Sequence, residues 1–246
     1  FGRAKKQASR ASRGRYILLL DADTVVPEPG IFRDWLAFLD DRPEIGASGC
    51  RLVTADGRRW VGDAGFRPSL KTVGCYAFFL SRFFPRCCPG LFLNESRLNG
   101  ALAVDWISGA DLMTRRDVLE QVGLLDESLF MYAEDVEWGC RLRKHGYAVY
   151  YLPRFVIVHL VGASGKKRQT EGFSHLWLEN LRRLYALLNP GQSLLWFDVI
   201  FSAGLLLRSF LYYAIYLRKG DENDRNRSRR MREYFHFLIH RRREGQ

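Results

Sequence analysis

The sequence predicts an α/β fold, a mixed sheet flanked by helices, followed by C-terminal helices. Apolar runs of strand length alternate with amphipathic stretches of helical period, the pattern of a sheet covered by helices. A hydrophobic content of 47% in 246 residues is enough for a sizeable core. After residue 190 the strand pattern stops, and a long apolar stretch leads into a basic tail. The expected division is therefore an α/β domain over 1–190, then an apolar helix and a basic helical tail, membrane-associated, over 191–246.

Small residues at 4, 8 and 11, with Gly14 as a stop, read as a short basic helix. RYILLL is a continuous apolar run, the mark of a strand buried on both faces of a parallel or mixed sheet. DADTVVPEPG breaks the pattern, and IFRDWLAFLDD, apolar at 31, 32, 35, 36 and 39, is an amphipathic helix. IGASGCRLV at 45–53 suits another strand, whereas 56–98, with glycines scattered among aromatics, reads as strand, helix and long loop. Order returns with a strand near 104–107, a turn at Gly109, a second short strand, and a helix from Arg116 to Gln121 stopped by Gly123. A helix through 138–144 ends at Gly146, and two apolar runs, YAVYYL and FVIVHL, flank Pro153. The basic loop GASGKKRQ precedes a helix over 172–188 closed by Asn189, Pro190 and Gly191.

Leu194 to Leu217 holds only Asp198 and Arg208 as charges, and its 24 residues would make a helix about 36 Å long. Asp198, Ser202 and Ser209 fall on one narrow stripe, and Tyr and Trp are frequent, which suits a helix lying in a membrane interface or packed on a partner, the interface being favoured. A span and a buried helix are the alternatives.

The net charge of +11 implies an anionic partner: nucleic acid, a phosphorylated substrate or an acidic membrane surface. The first fifteen residues carry Arg3, Lys5, Lys6, Arg10, Arg13 and Arg15 with no acid, and from Arg218 onward ten Lys or Arg face five Asp or Glu. A non-catalytic basic module that binds membrane or nucleic acid is thus a second reading. No RRM, zinc-finger or helix-turn-helix signature supports it, and no nucleic-acid partner is expected. Five cysteines without metal spacing, two of them adjacent, suit free thiols in a reducing, cytoplasmic compartment. The chain starts at Phe1 with neither methionine nor signal peptide, and reads as the downstream part of a longer protein.

Asp21 and Asp23 directly follow a strand, at the end where α/β sheets bind ligands. Two carboxylates one residue apart can hold Mg²⁺ or Mn²⁺ with room left for diphosphate oxygens, although Asp also favours turns for its own hydrogen bonding. His159 closes the strand FVIVH. It is either a structural histidine or, with Asp21 and Asp23, part of a mixed oxygen and nitrogen site. Glu134 and Asp135 follow the run Phe130, Met131, Tyr132, where desolvation would raise basicity for general-base work. Acids are equally common in the first turn of any helix, where they complement its dipole.

LLLDADTVVP, followed by VDWISGADLMTRRDVLEQVGLLDESLFMYAEDVEWGCRLRKHGYAVYYLPRFVIVHLVG, resembles the family 2 inverting glycosyltransferases of the GT-A fold, above all rhamnosyltransferase-like members that build bacterial polysaccharides. The resemblance implies a metal on Asp21 and Asp23, with His159 a further metal or diphosphate ligand. It implies Asp135 as the general base, Glu134 beside it to contact acceptor or orient the site, and Trp106 to Ala110, including Gly109, as the acceptor-side wall. Lys166, Lys167 and Arg168 are candidates to close over the diphosphate, or else a solvated basic loop. The implied partners are a nucleotide-diphosphate sugar donor, a glycan or lipid-linked acceptor and the cytoplasmic membrane surface, where the chain would be peripheral or monotopic. The family's first strands, which hold the nucleotide, have no counterpart here, so weak donor binding by this chain alone is expected, as a truncated and inactive transferase would also show.

Overall fold

In the computed structural model, which describes residues 2–126, 129, 133–160 and 175–243, most of these elements are present. The first half forms α1 (Gly2–Ala11), β1 (Tyr16–Leu20), β2 (Thr24–Val25), α2 (Ile31–Asp40), β3 (Ile45–Val53), β4 (Ala64–Gly65), α3 (Leu70–Ala77) and α4 (Leu80–Phe83). There follow β5 (Leu102–Val104), β6 (Trp106–Ile107), β7 (Asp111–Arg115), α5 (Arg116–Val122), α6 (Glu134–Lys144), β8 (Ala148–His159), α7 (Leu176–Leu188), α8 (Leu194–Lys219) and α9 (Glu222–Arg243). Contacts gather these into two compact units, Phe1–Arg67 with Phe92–Glu171, and Pro68–Leu91 with Gly172–Gln246.

The first unit holds a mixed sheet in the order β1-β7-β3-β8-β2, with β5 also on β8. Among the described strands β3 and β8 run parallel and the other pairs are antiparallel. Successive strand residues point to opposite faces, so Leu112 joins a core with Val118, Leu119, Trp138 and Leu142 of α5 and α6, while Met113 joins one with Ile31, Trp35 and Leu39 of α2. This is the layered α/β sandwich expected.

Three expectations need correction. β1 is not buried on both faces: among the described residues it ends the strand order and pairs with β7, and it leaves Leu20 38% exposed. The runs on either side of Pro153 are one strand, because the register against β3 slips from Cys50–Leu152 to Arg51–Val156, and Pro153 sits in the slipped segment, where no ladder N–H is required of it. The strand at 104–107 is broken at Asp105, since β5 pairs with β8 and β6 with β4.

In the second unit, Ser69 and Thr72 form a capping box that starts α3. Arg182 of α7 grips Asp198 of α8 through two bonds of 2.9 and 3.1 Å. Arg208 Nε donates to the Ala77 carbonyl at 3.0 Å, and Gly204 lets α8 approach Ala77 where a Cβ would lie 2.4 Å from it. Ser209 and Ser228 exchange hydrogen bonds between α8 and α9. All five cysteines are free.

Candidate active site

The DAD turn joins β1, which pairs with β7, to β2, which pairs with the far end of β8. That second pairing sets Thr24 opposite His159 and so brings the histidine beside Asp23. The turn's backbone is consumed locally. Asp21 N donates to the Ala110 carbonyl at 3.1 Å, the Thr24 hydroxyl to the Asp21 carbonyl at 2.6 Å, and Leu160 N to the Asp23 carbonyl at 2.7 Å. Asp21, Asp23 and His159 each bring a ligand atom to within 4.8 Å of the others, and His159 Nε2 lies 3.2 Å from Asp23 Oδ1. His159 Nδ1 is buried with no hydrogen-bond partner. Two carboxylate oxygens and one imidazole nitrogen make a mixed donor set that fits a divalent ion such as Mn²⁺ or Mg²⁺.

Asp135 stands in the first turn of α6. Its Oδ1 accepts from Val136 N at 2.8 Å and its Oδ2 from Gly109 N at 3.2 Å. Acids at 134, 135 and 137 and bases at 141, 143 and 144 complement the helix dipole, so the ordinary helical reason for these acids is met as well. Glu134 is buried and its Oε2 accepts from Ala133 N at 3.1 Å. Gly109 and Ala110 therefore join the two halves: one binds Asp135, the next binds the backbone of Asp21. Trp106, Gly109 and Ala110 line this junction's strand-and-turn, with Trp106 and Ala110 buried. Lys166, Lys167 and Arg168, and the aromatic run at 130–132, lie outside the described residues.

Residues the sequence did not single out support the site. Trp60 meets the His159 ring edge-on, centroids 5.1 Å apart. Its loop is held by a buried ion pair, Arg59 to Asp63, with Arg59 Nη1 on the Leu93 carbonyl at 2.8 Å and Tyr151 Oη on Asp63 at 2.6 Å. The Asp63 carbonyl also receives Ser108 N at 2.8 Å, so one ion pair fixes both the Trp60 loop and the start of the 108–110 wall. Burial pushes the Asp63 carboxyl up, more than Arg59 pulls it down. Behind the wall, Asp111 is fully buried and accepts from Cys50 N at 2.6 Å. Burial, then Asp111, drives the Cys50 thiol well above its ordinary range. The only sequence signal for these groups was charge next to an aromatic in DGRRWVGD, a stretch without periodicity.

The family model of glycosyltransferase like family 2 matches residues 1–186. The chain belongs to that family. This family 2 chain is 37% identical over 118 residues to the N-acetylglucosaminyl-diphospho-decaprenol L-rhamnosyltransferase of Mycobacterium tuberculosis, a match covering 48% of the chain and 38% of that protein. It is 31% identical over 163 residues to the O-antigen biosynthesis protein RfbC of Myxococcus xanthus, covering 65% of the chain and 12% of RfbC. The chain thus spans well under half the length of these curated relatives. Among solved structures, the mannosyltransferase PcManGT of Pyrobaculum calidifontis, in complex with GDP-Man and Mn²⁺, aligns with a TM-score of 0.48 and 16% identity, over 97% of this chain and 65% of that one.

Proposed function

We propose that this chain carries the reaction centre of a metal-dependent inverting glycosyltransferase, which moves a sugar from a nucleotide-diphosphate donor to a glycan or lipid-linked acceptor in bacterial cell-surface polysaccharide synthesis. The observation that carries this is the Gly109–Ala110 junction, which ties the Asp135 carboxylate and the Asp21 turn to adjacent residues. Rhamnose is the sugar we favour, because the mycobacterial relative is named a rhamnosyltransferase with a lipid diphosphate acceptor.

Asp21, Asp23 and His159 would hold Mg²⁺ or Mn²⁺. When bound, the ion supplies positive charge to the diphosphate leaving group. Asp135 takes the proton of the acceptor hydroxyl, while the Gly109 N–H holds its carboxylate in place. The acceptor oxygen bonds to the anomeric carbon from one face as the bond to the diphosphate breaks on the other, so the configuration inverts. Glu134, bonded to Ala133 N, orients the start of α6. Lys166, Lys167 and Arg168 are assigned to the departing diphosphate on charge alone. In this reading the chain works at the cytoplasmic membrane surface, where a lipid-linked acceptor resides.

The test compares Asp135→Asn with the parent in a lysate assay using nucleotide-sugar donors, with circular dichroism as the folding control. Loss of a general base should lower transfer by roughly 10²- to 10⁴-fold. Equal transfer by both proteins would overturn Asp135 as base.

A further inference from the structure

Helix α8 is apolar on two sides: its buried side carries Phe197, Phe201 and Leu205 beside a polar stripe, and its outward side is apolar as well. Its polar stripe points inward: Asp198 and Ser209 are buried, Asp198 is held by Arg182, and Arg208 reaches the Ala77 carbonyl. On the outward side Leu195, Trp196, Val199, Leu206, Phe210 and Leu217 are all exposed, Phe210 by 70% and Leu217 by 68%. At helical spacing these six fall within an arc about 100° wide that holds no charge. Beside it, α9 carries exposed arginines at 225, 229 and 232, a spacing of four and three that puts them on one flank. Arg225 and Arg229 pair with surface acids of their own helix, Glu222 and Glu233, and Arg225 also lies over the Tyr216 ring; such surface pairs compete weakly with a phosphate.

We propose that α8 seats in the plane of an anionic bilayer, its outward apolar arc among the acyl-chain ends and the α9 arginines at the phosphate level, without crossing the membrane. The occupant is argued from charge complementarity: an uncharged apolar arc and an arginine row side by side match the two layers of an acidic lipid surface. A crossing is excluded by the inward contacts. It would draw Asp198 with Arg182, Arg208, and the charges of α9 into hydrocarbon. This deepens the membrane part of the proposed function but does not involve Asp135. Transfer to a water-soluble acceptor tests the chemistry separately.

The experiment is flotation of the full chain with vesicles of phosphatidylcholine and phosphatidylglycerol, read alongside quenching of Trp196 by brominated lipids, with Trp196→Phe isolating its signal. The parent should float, and shallow bromines should quench more than deep ones. Phe210→Asp with Leu217→Asp should weaken binding at least about tenfold. Arg225→Gln, Arg229→Gln and Arg232→Gln together should also weaken it roughly tenfold, as should added salt. All substituted residues are exposed, so melting should match the parent. A parent that stays with the soluble fraction overturns the proposal. So does strongest quenching by deep bromines, the mark of a span, or self-association abolished by Phe210→Asp in a chain that ignores vesicles, the mark of a second copy.

Discussion

Gly139→Ala sets two effects of known sign against each other. Gly139 lies inside α6, where alanine is favoured over glycine by about 1 kcal/mol. A Cβ there would stand 2.5 Å from the Asp105 carbonyl oxygen and 2.8 Å from Trp106 Cα. Those atoms are backbone, so no rotamer change relieves the clash. Overpacking of this kind costs about 1–3 kcal/mol, and contacts this short argue for the upper end. The net expectation is a loss of about 2 kcal/mol in urea unfolding. Gly74→Ala in α3 is the matched control: its Cβ would meet only Ile200 Cγ2 at 3.7 Å, so propensity should prevail, with a gain of about 0.5–1 kcal/mol. The loss has a functional side, because α6 is relieved only by moving off β6, and Asp135 sits one turn before Gly139. A shift of even a fraction of an ångström stretches the 3.2 Å Gly109 bond and should lower transfer about tenfold beyond any loss of folded protein. If Gly139→Ala proves as stable as the parent or more so, the close approach of α6 to β6 is wrong.

Arg59→Met should cost about 3–5 kcal/mol, because it strands the Asp63 carboxylate in the core; a loss below about 1 kcal/mol in urea unfolding would contradict the buried pair. Burial already holds the Asp63 pKa above its unfolded value, so stability from that group is present at low pH and lost as pH rises; the variant's deficit should therefore shrink on acidification. Asp23→Asn should weaken Mn²⁺ binding at least about tenfold by electron paramagnetic resonance, while Asp34→Asn, on the exposed side of α2, should leave it unchanged. Burial pushes the Cys140 thiol up to about 12 and that of Cys50 well above its ordinary range, whereas Cys87 is exposed. Thiol titration at pH 8 should therefore label Cys87 rapidly, the half-buried Cys140 slowly, and Cys50 only on unfolding.

The elements with clear period were legible in the sequence. The run YILLL and the span 45–53 emerge as β1 and β3 with the expected bounds, and the apolar spacing of IFRDWLAFLD emerges as α2. Pro153 misled because a proline inside an apolar run reads as a break, and only the register slip against β3 shows how a strand accommodates it. Trp60 and the Arg59–Asp63 pair were invisible because their partners, His159, Leu93 and Tyr151, lie 34 or more residues away in sequence. No local pattern encodes a contact of that kind.

Local chemistry is what the sequence determined by itself: which residues have carboxylate, imidazole or apolar character, and which strand or helix carries each. The carboxylates of DAD and the acid pair at 134–135 were candidates on residue type and spacing alone. Tertiary structure decided their company. The pairing of β2 with β8 brings His159 to Asp23, and Gly109 and Ala110 tie Asp135 to the DAD turn. It likewise decided that the polar stripe of α8 faces inward and its apolar arc outward, because Arg182, Ala77 and Ser228 on three other helices supply the partners for that stripe. The reason is common to all three cases: side-chain periodicity tells which residues share a face, whereas burial and long-range hydrogen bonds tell what that face meets.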